Sequence, residues 1–140
     1  GGKIFYDGGS SCYVSATSNQ STSAEWGCYG MDIAGAYGTV IGTGVSNTTD
    51  IVNGCPTSGI AARICDDLVL NGYSDWFLPS KDELNEMYNQ KNTIGGFFNA
   101  FYWSSTASSA KNAYAQSFGT GSWQTDTKPT SYYVRCIRRY

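Results

Sequence analysis

Histidine is missing from all 140 residues, and there are only three prolines. With no imidazole and no Cys-x-x-Cys pair among its five cysteines, the chain lacks the usual zinc ligand sets, so neither a metal nor a cofactor is expected. Charge is scarce too: 14% of residues are ionisable Asp, Glu, Lys or Arg, and the net charge is −2. That leaves no electrostatic footprint for a nucleic acid backbone or an anionic membrane surface. The one basic cluster, Arg135, Arg138 and Arg139, is expected to satisfy carbonyls and carboxylates around the final strand. No apolar run approaches the roughly 18–20 residues that cross a bilayer, so direct membrane insertion is not expected. The N-terminus has neither the charged nor the apolar region of a signal peptide, which reads as a module from a longer protein.

What is present points to one small, stapled domain. A chain of 140 residues fits a single hydrophobic core and is read as one domain over residues 1–140. Low charge, abundant Gly, Ser, Thr and Asn, and cysteines at 12, 28, 55, 65 and 136 suit an oxidising compartment, with two disulfides and one thiol left over. Four paired cysteines allow three connectivities, and spacing does not choose among them.

Along the chain, Lys3-Ile4-Phe5-Tyr6, a Gly8-Gly9 turn and Cys12-Tyr13-Val14-Ser15-Ala16 predict a hairpin. Residues 17–59 read as a glycine-rich excursion bracketed by Cys28 and Cys55, with one short helical turn around Thr48–Val52. Ile60, Ala61, Ile64, Cys65 and Leu68 repeat at helical spacing up to the Asn71-Gly72 stop. Ser80-Lys81-Asp82-Glu83 is a capping box opening a second helix, whose inward stripe is Leu84, Met87 and Tyr88 and whose continuation ends at Gly95-Gly96. Strands dominate from Phe101 to Tyr140, the last placing Val134 and Cys136 on one face and Arg135 and Ile137 on the other. The order predicts an α+β fold: two helices packed on antiparallel sheets, with N- and C-terminal strands paired.

Residues 101–139 supply adaptable contact chemistry but no evident nucleophile, base or metal cage, which points to recognition and away from catalysis. Asn112, Tyr114 and Gln116 alternate on one strand face as a polar platform. Trp123 has no apolar neighbour in its hairpin-like stretch, and an exposed indole beside Gln124 and Asp126 suits sugar stacking or a protein hot spot. Trp76 and Trp103 sit among apolar residues and read as core. Asp66 and Asp67 are adjacent on a helix and point apart, while Asp82 and Glu83 complement a helix N-terminus, so neither pair makes an acid/base couple.

Four motifs in order, Gly72-Tyr73-Ser74-Asp75-Trp76-Phe77-Leu78-Pro79-Ser80 after a cysteine-bearing helix, then Tyr102-Trp103-Ser104-Ser105-Thr106, then Tyr133-Val134-Arg135-Cys136-Ile137-Arg138, with Gly2-Lys3-Ile4-Phe5-Tyr6 as opening strand, resemble the collagen-like-adhesin (Lcl) C-terminal domain family. The resemblance implies a C-type-lectin-like fold, and it implies structural disulfides Cys65 with Cys136 and Cys28 with Cys55. Cys12 is then the odd residue, read as a buried small hydrophobe. Related domains occur in surface adhesins, phage tail proteins and diversity-generating retroelement proteins, so the implied function is a non-catalytic receptor- or carbohydrate-binding domain. Its expected location is extracellular, on a cell surface or virion. The alternative is a structural or oligomerisation module that trimerises a fibre tip or caps a stalk, with no small ligand. The chain lacks the Glu-Pro-Asn, Gln-Pro-Asp and Trp-Asn-Asp motifs of calcium-dependent lectins. The related formylglycine-generating enzymes need a reactive cysteine arrangement, whereas four cysteines here read as structural.

Overall fold

The computed structural model describes residues 2–140. Lys3–Asp7 (β1) and Cys12–Ser15 (β2) form the hairpin, and β2 pairs with Ile137–Arg139 (β8) in a three-stranded antiparallel sheet. The first hairpin and the last strand are thereby joined. A second sheet has the order β3-β7-β4-β5-β6, built from Ser21–Ala24 (β3), Tyr132–Val134 (β7), Phe101–Ala107 (β4), Asn112–Ser117 (β5) and Trp123–Thr127 (β6). Its pairings are antiparallel except that β4 and β7 run parallel at Tyr102 and Tyr133, a departure from the all-antiparallel expectation.

Four helices form among the described residues, where two were expected: Gly44–Gly54 (α1), Ala61–Asp66 (α2), Lys81–Asn89 (α3) and Lys91–Ile94 (α4). α3 starts at the capping box: Ser80 Oγ accepts from Glu83 N at 3.3 Å, and Glu83 Oε1 accepts from Ser80 N at 2.9 Å. Glu83 Oε2 also accepts from Gly42 N at 2.7 Å and Gly44 N at 3.3 Å, tying α3 to the start of α1. Burial pushes this carboxyl above the ordinary glutamate value, against the three backbone donors that favour its charge. Gly44 is needed there, because a Cβ would stand 2.2 Å from Glu83 Oε1.

α1 extends well beyond the single turn expected. Its sequence, GVSNTTDIVNG, has weak helix propensity, but tertiary bonds hold it: Asn47 Nδ2 donates to Gly38 O at 2.7 Å, and Thr48 Oγ1 accepts from Leu78 N at 3.0 Å. The final strand is likewise two strands in two sheets. The chain crosses between them at Arg135 and Cys136, and Val134, Arg135, Cys136 and Ile137 are all buried; the expected two-face alternation holds, with Val134 and Cys136 in the core that includes Trp103, Ile137 in the core that includes Tyr102 and Phe118, and Arg135 against Phe97 on that second side.

A core lies on each face of the five-stranded sheet. One gathers Trp26, Ile33, Ile51, Ile60, Trp76, Trp103, Ala113 and Ala115 under the excursion, α1 and α2. The other gathers Leu84 and Met87 of α3 with Phe5, Tyr13, Phe77, Tyr102, Phe118 and Ile137. Cys28–Cys55 closes the excursion, and Cys65–Cys136 ties α2 to the β7–β8 crossover. Cys12 carries a free thiol and is half-buried at the start of β2, so it is not the buried hydrophobe expected.

Two of the three arginines in the basic cluster satisfy carbonyls or a carboxylate as expected, while Arg139 is exposed. Buried Arg135 donates from Nε to Asn19 Oδ1 at 3.0 Å and from Nη1 to Ala16 O at 2.8 Å and Gly95 O at 3.1 Å. Its guanidinium lies 4.0 Å from the Phe97 ring centre, and burial without a carboxylate partner lowers its pKa to about 10. Arg138 makes a two-bond pair with Asp75, at 2.8 and 3.0 Å.

Candidate functional site

The register of β5 against β6 decides which residues can act together. Gln116 lies opposite Trp123, Tyr114 opposite Thr125 and Asn112 opposite Thr127, while Ala115 faces Gln124 and Ala113 faces Asp126. Because side chains alternate across a sheet, Asn112, Tyr114, Gln116, Trp123 and Thr125 share one face and Gln124 and Asp126 the other. The six residues predicted to bind ligand therefore do not form one patch.

The first face is bordered by α3. Lys81, at its first turn, places Nζ 5.2 Å from the Tyr114 ring centre and 4.9 Å from that of Trp123. One turn later, Asn85 Oδ1 accepts from Gln116 Nε2 at 2.9 Å, and Gly121 O accepts from the same amide at 3.2 Å. Gln116 is fully buried by these contacts, so it supports the surface from beneath and is not part of an exposed platform. Trp123 departs from expectation as well. It is half-buried and packs against the core under α3, leaving only part of the indole accessible. Asn112 and Tyr114 are also half-buried, and Thr125 is exposed. The result is a strip of partly exposed aromatic surface beside α3, with the Lys81 ammonium over both the Tyr114 and Trp123 rings. Sequence reasoning missed Lys81 and Asn85, which stand next to the capping box; only the packing of α3 on the sheet brings them to Tyr114.

On the opposite face, Asp126 is the hub of a closed network. Tyr132 Oη donates a very short hydrogen bond to Asp126 Oδ2, Thr130 Oγ1 donates to Oδ1 at 3.3 Å and Thr127 N donates to Oδ1 at 2.8 Å. Gln124 Nε2 donates to Asp126 Oδ2 at 3.2 Å and to Tyr132 Oη at 2.9 Å. The Tyr132 hydroxyl bond holds the Asp126 carboxyl below the usual carboxylate range, while burial and this same carboxylate push the phenol up to about 12. Tyr132 is fixed by edge packing on Trp103, with ring centres 4.9 Å apart, and by Phe101 at 5.3 Å. Gln124 and Asp126 thus spend their hydrogen-bonding capacity within the protein, ordering the edge strand β6 and the 127–131 turn.

Trp76 and Trp103 are buried in the core, as read from their neighbours. Among the described residues no group of three or more His, Cys, Asp or Glu could hold a metal ion, and no helix is long and apolar enough to cross a membrane.

Comparison with known proteins adds two findings. The model of the Lcl C-terminal domain family matches residues 43–138, from just before α1 to β8. A crystal structure of a fimbrial protein from Bacteroides ovatus shares the fold with a TM-score of 0.63 at 16% sequence identity, over 90% of this chain and 35% of that one. The chain thus spans about a third of that fimbrial protein's length. A search of curated proteins finds no match.

Proposed function

The chain belongs to the Lcl C-terminal domain family, and on that premise we propose that it is a non-catalytic recognition domain of a surface adhesin, with a C-type-lectin-like arrangement of its two sheets, that binds a carbohydrate or protein receptor outside the cell. The observation that carries this reading is the aromatic strip beside α3 on β5–β6, where Tyr114 and Trp123 are partly exposed beneath the Lys81 ammonium. Half-buried rings give large contact area at low entropic cost, and they are already oriented by packing. Two disulfides suit an oxidising environment, and the fold match to a fimbrial protein agrees with display on a surface. Asn112 and Thr125 at the open end supply amide and hydroxyl groups that can fix a ligand's orientation.

The test is a glycan array and a panel of candidate receptor proteins, probed with the wild type and with a Tyr114→Ala/Trp123→Ala double variant whose fold is checked by circular dichroism. The expected result is a hit that is lost in the double variant. Full retention of binding by the folded double variant removes the aromatic strip as the site. A second reading, an assembly module capping a fibre or stalk, has its own supporting observation: Tyr29, Met31 and Tyr37 of the Cys28-anchored excursion are 52%, 46% and 41% exposed. Concentration-independent trimers in light scattering, dispersed by Tyr29→Ser/Met31→Ser, favour that reading.

A further inference from the structure

The outer face of the three-stranded sheet holds a cavity of about 510 Å³, lined by Gly2, Ile4, Val14, Tyr73, Arg138 and Tyr140. None of these residues belongs to the aromatic strip beside α3. Ile4, Val14 and Arg138 form one row across the sheet, since Ile4 pairs with Val14 and Val14 with Arg138. Beside that row stand two aromatic rings on anchored backbone. Tyr73 exchanges backbone bonds with Leu70, both at 3.0 Å, and Tyr140 exchanges bonds of 2.8 and 3.0 Å with Cys12. Their side chains nevertheless remain 43% and 60% exposed. The Arg138 guanidinium lies 3.7 Å from the Tyr73 ring centre and 5.7 Å from that of Tyr140. Asp75 engages that guanidinium through Nε and Nη2, leaving Nη1 outside the pair, and the carboxylate side chain itself is 53% exposed.

We propose that this cavity is a binding site for a neutral pyranose sugar. The volume lies within the range of small-molecule sites, roughly 300–1,000 Å³. Apolar walls at Ile4 and Val14 and exposed tyrosine rings match the C–H faces of a pyranose. The Arg138 guanidinium and the tyrosines match its hydroxyls: Nη1, left outside the Asp75 pair, donates, and the Tyr73 and Tyr140 hydroxyls can accept or donate beside it. Charge selects against the alternatives. Arg138 is already balanced by Asp75, so an anionic ligand would compete with a pair in place, and a cationic one would face the guanidinium. A neutral polyol bonds to Nη1 without breaking the pair. The inference does not depend on the aromatic strip beside α3 binding anything.

Titration of the whole domain with methyl glycosides of glucose, galactose, mannose and N-acetylglucosamine, followed by ¹H–¹⁵N NMR, tests it. At least one neutral glycoside is expected to shift the amides of Val14, Tyr73, Arg138 and Tyr140 saturably. Tyr140→Ala, a change at an exposed ring, should weaken that binding by about twofold to tenfold, the worth of one stacked aromatic. Trp123→Ala should leave it unchanged, which separates this site from the aromatic strip. Absence of a saturable shift at these amides with every glycoside overturns the proposal. So does equal binding by Tyr140→Ala, or tighter binding of methyl glucuronide than of the neutral sugars, which would make the cavity an anion site.

Discussion

Replacing Cys65 and Cys136 together by alanine should destabilise the domain more than replacing Cys28 and Cys55. The Cys65–Cys136 bridge closes a sequence separation of 71 residues and the Cys28–Cys55 bridge one of 27. In the chain-entropy model these constrain the unfolded state by about 4.4 and about 3.5 kcal/mol respectively. Burial adds to both losses. Cys65 and Cys136 are both fully buried, so truncating them leaves small voids costing about 1 kcal/mol more; Cys55 is fully buried too but Cys28 is only half-buried and relaxes into solvent, so that pair adds about 0.5 kcal/mol. The expected losses are therefore about 5.4 kcal/mol and about 4 kcal/mol, against a typical domain stability of about 5–15 kcal/mol. Guanidinium unfolding, followed by the fluorescence of buried Trp26 and Trp103, measures both. A larger loss from the Cys28/Cys55 pair would refute the reasoning. It would mean that the excursion, which contributes Trp26, Ile33, Ile51 and Cys55 to the core, is held by its staple and not by its packing.

Ser80→Ala removes a hydroxyl that accepts from Glu83 N and donates to Val40 O at 3.1 Å, and should cost about 1–2 kcal/mol by urea unfolding, the upper range for a cap because the site is buried. A change within about 0.3 kcal/mol would show that Glu83 and its backbone donors suffice to start α3. Acid should weaken the domain through Asp75 and Asp126, whose carboxyls lie below their ordinary value because of bonds from Arg138 and Tyr132. Such a group binds fewer protons folded than unfolded, so its contribution is complete above the unfolded value near about 3.9 and is lost as pH falls through the folded one. Glu83, raised by burial, acts in the opposite sense: its contribution is complete below about 4.3 and is lost as pH rises through its folded value. Unfolding midpoints taken from neutral pH down to about pH 2.5 should therefore converge for wild type and Asp75→Asn at the acid end. A constant offset across that range would mean that Asp75 acts through packing alone.

Much of the fold was legible because its signals are local. The capping box, the apolar spacing of α2 and the stop at Gly95-Gly96, where φ is 80° and 79°, depend on residues within one or two turns of each other. What escaped is held from a distance. β3 is a strand only because β7 lies beside it, with Ser21 opposite Val134 and Ala24 opposite Tyr132. α1 overrides a poor helical sequence through bonds from Asn47 to Gly38 and from Leu78 to Thr48. The break between β7 and β8 follows from the same cause: Cys136 is bound to α2, and Arg135 must reach carbonyls at Ala16 and Gly95, so the backbone leaves one sheet for the other between Val134 and Ile137.

The candidate site divides along the same line between local and distant information. Alternation within β5 put Asn112, Tyr114 and Gln116 on one face, and the structure agrees, because period-two geometry needs no partner. Register between strands is different. The turn over residues 118–122 sets Gln116 opposite Trp123, and a slip of one residue would have placed Gln124 and Asp126 with Tyr114 instead. That single offset separates an aromatic strip, which keeps partly exposed rings, from a carboxylate network that Tyr132, Thr130 and Gln124 already satisfy. The helix completes the division: α3 covers the Gln116 end of the shared face and leaves the Tyr114 end open beneath Lys81. The strip is thus a property of three elements and their register, and no stretch of sequence contains it.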